Sequence, residues 1–210
     1  MKIAVSGTSC TGKSTYIQDF LNTWKNYKTP DSTYRNLLKN NSLPHSTEGT
    51  EESQKQILNS LVDQAVDFSK KENIIFDRCV LDNLVYTSWL FLNDKVSEKF
   101  LDETRILTRE TLKLFDIIFF IPLTKVSPIE INEKETRETD PIYRQEIDNI
   151  FKSYIASYHK GDGKIFPSED CPAVIEIFGS REERIKMTEL YLTNEGTPYG
   201  EDQSLLTNLI

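Results

Sequence analysis

The sequence predicts a three-layer α/β fold, a parallel sheet of about five strands with helices on both faces. Three observations predict it. Short β-rich runs alternate along the chain with stretches of helical periodicity. The apolar runs Ile3-Ala4-Val5, Ile74-Ile75-Phe76 and Ile117–Ile121 lack a polar alternate face, as strands buried on both sides must. The first of these runs passes directly into a glycine loop and then a helix.

Each element follows from local pattern. After the first strand (2–6) and its loop, Ile17, Phe20, Leu21 and Trp24 recur at helical spacing. Asn26 to Thr29 is read as a short second strand, and 42–46 as a polar loop. Gln54, Ile57, Leu58, Leu61, Ala65 and Phe68 mark the next helix, which leads into a strand at 73–77 ending in Asp77. Leu81, Leu84, Val85, Ser88, Trp89 and Leu92 mark another helix, and 98–114 a further one. A strand at 117–122 stops at Pro122, followed by a charged connection over 123–139. Asp140-Pro141 has the form of an N-cap with proline at the first helical position, opening a helix that runs to about Tyr158. A last strand is expected at 173–178 and a last helix over 180–192.

A chain of 210 residues and 24.3 kDa with no internal repeat is read as one domain over 1–192 and a loosely held tail over 193–210. No apolar run approaches the roughly 18–20 residues that a membrane span needs. The start enters its glycine loop too soon for a secretory leader, so a cytoplasmic location is expected. Three cysteines at irregular spacing make no disulfide framework, and only His45 and His159 could join them at a zinc site. The net charge of −8 argues against a broad duplex-gripping face, while leaving room for a few local arginines to hold a phosphate.

The strongest chemical signal is Gly7-Thr8-Ser9-Cys10-Thr11-Gly12-Lys13-Ser14, which fits GxxxxGK[ST] between a strand and a helix. Such a loop, with Thr15 just beyond it, curls backbone N–H groups round phosphates, and its glycines allow close approach. The following helix aims its positive end at the same anion. Lys13 is expected to reach the β- and γ-phosphates of ATP and the Ser14 hydroxyl to ligate Mg²⁺.

A site of this kind needs a further carboxylate at the end of a neighbouring strand. The 117–122 strand ends in proline and leucine, whereas the 73–77 strand ends in Asp77-Arg78, which makes Asp77 the choice. Arg78 can meet a phosphate through two parallel hydrogen bonds. Arg137 in the charged connection and Arg144 near the start of the following helix are candidate lid cations, since a cation there opposes the helix dipole. Gly179-Ser180 either seats a nucleotide base or forms a plain strand-to-helix turn.

Together these residues resemble the P-loop nucleoside and nucleotide kinases. More narrowly, they resemble the AAA-type ATP/GTP-binding kinase-like family that includes the ribosylnicotinamide kinase domain of bacterial NAD-regulatory proteins and many bacteriophage proteins. The resemblance rests on 7–15, on Phe76-Asp77-Arg78-Cys79 with Asp82 and Tyr86, and on Arg137 to Arg144 with Ile147-Asp148. It implies the P-loop NTPase fold with a helical lid, and ATP with Mg²⁺ as cofactors. It also implies a small nucleoside or nucleoside monophosphate acceptor. Asp77 would assist Mg²⁺ or deprotonate the acceptor, Arg78 would hold a phosphate, and Arg137 and Arg144 would close over the transferred group. Gln64, Asp82 and Tyr86 would line the acceptor pocket. A homodimer is compatible with this reading. The alternative is a kinase acting on a nucleotide within DNA or RNA, which the acidic charge disfavours. A GTPase switch is disfavoured too, because Thr124-Lys125-Val126-Ser127 puts serine where a guanine-reading acid belongs.

Overall fold

The computed structural model describes residues 1–31, 43–125, 139–161 and 164–199. Its strands are β1 (Lys2–Ser6), β2 (Ile74–Asp77), β3 (Ile117–Phe120) and β4 (Ala173–Glu176). All pair in parallel in the order β2-β1-β3-β4, with Val5 opposite Asp77 on one side and Phe119 on the other. The helices among the described residues are α1 (Lys13–Thr23), α2 (Glu51–Asp67), α3 (Val80–Leu92), α4 (Glu98–Leu112), α5 (Pro141–Lys160) and α6 (Arg181–Glu189). A 3-10 turn at Ser46–Glu48 occupies the polar loop before α2.

Alternate strand residues sort into two cores, which is why β1, β2 and β3 read as apolar runs. Ile3, Val5, Ile75, Ile117, Phe119 and Ile121 pack with Tyr16, Ile17, Phe20 and Trp24 of α1. Ala4, Ile74, Phe76, Ile118, Phe120 and Val174 pack against α2, α3, α4 and α5 on the opposite face. This is the three-layer parallel α/β architecture of the P-loop fold. The fifth strand differs from expectation. The segment at 26–29 reduces to one parallel bridge, Lys28 to Ile74, on the outer edge of β2. Tyr27 turns inward against Phe20 and Pro30 lacks an N–H, so pairing cannot extend.

The capping signals hold. Asp140 accepts from the backbone N–H groups of Ile142 and Tyr143 at 2.8 and 3.1 Å, with Pro141 as the first residue of α5. Asp148, wholly buried on the same helix, accepts from the Leu123 N–H at 2.9 Å and ties the chain after β3 to α5. The segment after α6 is pinned by side chains near the end of α1. Trp24 Nε1 donates to Thr193 O, Asn26 Nδ2 to Glu195 O and Tyr27 Oη to Gly196 O, at 2.9, 2.9 and 2.6 Å. Leu205, Leu206 and Leu209 lie outside the described residues. None of the described helices is long and apolar enough to cross a membrane.

Candidate active site

The glycine loop joins β1 to α1 at the carboxyl end of the sheet, where ligands of open α/β folds bind. Gly7 has φ 141°, and a Cβ there would lie 2.5 Å from the Ile121 carbonyl oxygen, so only glycine fits. Gly12, at φ 82°, turns the chain into α1.

Five consecutive carbonyls of this loop accept hydrogen bonds from cationic side chains. Arg78 Nη1 donates to Gly7 O at 3.2 Å, and Lys13 Nζ donates to Thr8 O. Arg144 Nε and Nη2 donate to Ser9 O and Cys10 O, both at 3.1 Å, and Arg184 Nη1 donates to Thr11 O at 2.9 Å. All four cationic residues are buried. In a planar trans peptide each C=O points opposite to the next residue's N–H. Holding the carbonyls of 7–11 therefore orients the N–H groups of 8–12, the donors an anion cradle needs.

Asp77 ends β2 on the strand beside β1, and Arg78 follows it at φ 80°. The left-handed turn sends the guanidinium back over the Tyr86 ring, 5.2 Å from its centre, with Nη2 donating to Tyr86 Oη at 3.3 Å. Arg78 Nη1 also pairs with Asp82 Oδ1 at 2.7 Å.

Two substrate-pocket expectations need correction. Asp82 is 1% exposed, and its carboxylate is filled by the protein itself. It accepts from Arg78, from Ser6 Oγ at 2.7 Å, and from the Gly7 and Cys79 N–H groups at 3.3 and 3.1 Å. It ties the end of β1 to the first turn of α3. Gln64 lies at the wrong end of α2, among Asn59, Ser60, Asp63 and Phe68 in a polar groove on that helix. Phe68 meets the Phe76 ring edge-on, and the next residue, Ser69, accepts through its carbonyl from Lys2 Nζ at the amino end of β1. The residue at the productive end is Gln54, ten residues or about 15 Å earlier along the helix. Its carbonyl and Oε1 both accept from Asn83 Nδ2, at 3.1 and 2.9 Å, one residue beyond Asp82. The sequence carried a signal for Gln54, a polar residue on an otherwise apolar stripe. Nothing similar marked Arg184, which reads as a solvated charge in a polar helix.

Arg137 lies outside the described residues. Gly179 has φ 89° and its carbonyl accepts from Arg184 Nε at 3.1 Å, which draws this turn toward the glycine loop. Ser180 caps α6 in a reciprocal box with Glu183. The Ser180 N–H and hydroxyl hold the Glu183 carboxyl below its ordinary pKa. Burial lowers the Arg184 pKa and pushes the Cys79 thiol up to about 12, the nearby Asp82 charge adding to the latter shift. Tyr16, whose hydroxyl bonds Thr188 at 2.8 Å, is raised chiefly by burial.

The residues present fit ATP and Mg²⁺. The buried Thr8 hydroxyl has no hydrogen-bond partner among the described residues, as suits a loop shaped round a ligand. Ser14, in the first turn of α1, and Asp77 supply hard oxygen donors of the kind Mg²⁺ takes beside phosphate oxygens and water. No cluster of three or more metal-ligating His, Cys, Asp or Glu occurs among the described residues.

A family model described as an AAA domain matches residues 2–160. The chain belongs to that family. No curated protein matches it. Among solved structures, this AAA-domain protein is similar to deoxyadenosine kinase from M. mycoides with dCMP and a flexible dCDP bound. The TM-score is 0.60 at 18% identity, covering 89% of this chain and 96% of that one. It is also similar to thymidylate kinase from Candida albicans, at TM-score 0.57 and 16% identity, covering 90% and 88%. A third is NadR protein in complex with NR, at TM-score 0.64 and 16% identity; 90% of this chain matches 50% of that longer one. At these identities the shared feature is the fold, that of P-loop kinases.

Proposed function

We propose that the protein is an ATP- and Mg²⁺-dependent kinase that transfers the γ-phosphoryl group to a small nucleoside or nucleoside monophosphate. The observation that carries this reading is the register of β1 and β2. It sets Asp77 opposite Val5, with the Arg78 guanidinium on the carbonyl of the loop's first glycine. An acid and an arginine thus flank the phosphate cradle on one side, and Lys13 and Arg144 grip it from others.

Phosphoryl transfer depends mainly on positioning and on charge stabilisation. Oriented N–H groups of the loop and the α1 N-terminus hold the donor phosphates. Lys13 meets charge that builds on the transferred group, and Arg144, held against the same loop, adds positive charge there. Ser14 and Asp77 would hold Mg²⁺, which would neutralise the phosphate oxygens. Where Asp77 does not serve Mg²⁺, its carboxylate accepts the acceptor's hydroxyl proton instead. The half-buried Tyr86 faces the acceptor end, and the buried Gln54–Asn83 pair braces α2 against α3 there. The similar structures are a deoxyadenosine kinase, a thymidylate kinase and a NadR protein with NR bound, which supports a nucleoside-type acceptor here. Gly179-Ser180 lies on the base side of the donor.

The test is incubation of the protein with ATP, Mg²⁺ and a panel of nucleosides, monophosphates and short oligonucleotides, followed by mass spectrometry. One small acceptor should gain 80 Da, the mass of a phosphoryl group, with Lys13→Ala reducing the yield at least about 10²-fold. Phosphorylation confined to oligonucleotides would replace this reading with the polymer kinase. Equal yields from wild type and Lys13→Ala would end the loop assignment.

A further inference from the structure

Arg184 lies on α6, a helix that the site chemistry does not otherwise use. One guanidinium spans two backbone carbonyls from opposite sides of the donor site, Thr11 O through Nη1 at 2.9 Å and Gly179 O through Nε at 3.1 Å. Each carbonyl adjoins a left-handed glycine. Thr11 precedes Gly12 at φ 82°, and Gly179 is itself at φ 89°. Glycine peptides reorient with little steric penalty, so these are the places where a carbonyl needs an outside hold.

The side chain is 6% exposed, and among the described residues no carboxylate pairs with it. Its support is local. Thr188 Oγ1 donates to Arg184 O at 2.8 Å, and the Tyr16 hydroxyl of α1 meets Thr188 Oγ1 at 2.8 Å. Two rigid helices thus present a planar fork to both glycine turns. A buried cation balanced by carbonyl dipoles alone leaves net positive charge behind the phosphate cradle, and an anion in front of it relieves that imbalance.

We infer that Arg184 is a donor-positioning residue. It locks the Thr11–Gly12 peptide so that the Gly12 N–H faces the phosphates, and it sets the Gly179 turn at a fixed distance for the base. The residue thereby couples phosphate recognition to base recognition. This inference rests on the donor-site reading given above.

The experiment compares wild type, Arg184→Met and Arg184→Lys by calorimetric titration with Mg²⁺–ATP and with inorganic tripolyphosphate, alongside thermal melts. Losing two charge-assisted hydrogen bonds should weaken ATP binding about 10- to 100-fold in Arg184→Met. The ratio of tripolyphosphate Kd to ATP Kd should fall toward one, because the base no longer adds affinity. Arg184→Lys keeps the charge without the fork, so it should recover part of the phosphate affinity and little of the ratio. If Arg184→Met fails to fold, Arg184→Lys alone carries the comparison, and an unchanged ratio there overturns the inference. ATP affinity within about 2-fold of wild type in a folded Arg184→Met, whatever its melting point, would make the residue merely structural. Wild type that binds neither ligand would overturn the donor-site reading itself, and this inference with it.

Discussion

Arg78 and Asp82 lie four residues apart and pair at 2.7 Å across the turn that leads from β2 into α3. The pair looks local, yet it joins distant parts of the chain. Asp82 also holds Ser6 and the Gly7 N–H, while Arg78 holds Gly7 O. The last residue of β1 and the first of the phosphate loop are therefore fixed by the same two side chains that follow the catalytic candidate Asp77.

Asp82→Ala should therefore damage stability and nucleotide binding together. It leaves a buried guanidinium and three further donors without their acceptor, a loss of about 3–5 kcal/mol. Urea unfolding measures it, and a change of under about 1 kcal/mol would mean that the pair is replaceable.

Asp77 and Arg78 should fail differently. Asp77→Asn should still bind ATP while losing roughly 10²- to 10⁴-fold in transfer rate, the range for a lost general base. Arg78→Lys is the gentler probe of its neighbour, because an ammonium cannot reach Gly7 O, Asp82 and Tyr86 as one fork. With a monophosphate acceptor its defect should fall on the acceptor KM, and with a plain nucleoside on kcat. Wild-type kinetics in both variants would move the catalytic centre elsewhere.

Much of this was legible in the sequence, for identifiable reasons. Strands buried on both faces announce themselves as unbroken apolar runs, and Ile3–Val5, Ile74–Phe76 and Ile117–Phe120 all lie where those runs do. The loop and the Asp140-Pro141 cap follow from backbone needs that few residue types meet. Long-range pairing was not legible. Gln64 and Gln54 share a helix, and only the direction in which α2 crosses the sheet decides which reaches α3. Asp82 was readable as a polar residue in a helix's first turn, but two of its four donors, Ser6 and Gly7, come from the far end of β1. Arg184 follows the same pattern, since nothing in its neighbourhood refers to residue 11.

Alkaline pH offers a test of the buried Cys79 thiol, which lies 3.5 Å from Ser6 Oγ. Its pKa rises from 9.0 to about 12 in the folded chain, mainly by burial. Below pH 9 both folded and unfolded states keep the proton, so the thiol contributes its full stability. Between 9 and 12 only the unfolded chain loses it, and stability falls as pH rises. Cys79→Ser removes this titration and keeps a good N-cap. About 2 kcal/mol of the wild-type stability loss between roughly pH 8 and 10.5 should disappear in the variant. Burial raises Tyr16 and Tyr27 as well, but they contribute equally to both proteins and cancel in the difference. Parallel stability–pH curves for the two proteins would place the thiol in a wetter setting than the one described.

The turn after α6 gives the last prediction. Gly196 has φ 75°, and a Cβ there would stand 2.6 Å from Tyr27 Cε2 and 3.0 Å from Trp24 Cδ1. The backbone on either side is held by Trp24, Asn26 and Tyr27, so it cannot retreat without losing hydrogen bonds to Thr193, Glu195 and Gly196. Gly196→Ala combines a left-handed backbone penalty with overpacking against two rings, about 2–4 kcal/mol in all. The melting temperature should drop by roughly 5–10 °C. Trp24 should report the same event, its indole N–H released from Thr193 and its emission shifted to longer wavelength. Because α1 begins at Lys13 and ends beside Trp24, release of this turn frees one end of the helix whose other end carries the phosphate loop. ATP affinity should therefore fall by less than in Arg184→Met, which acts on the loop directly. A Gly196→Ala protein with wild-type melting and emission would show that the segment after α6 does not brace α1.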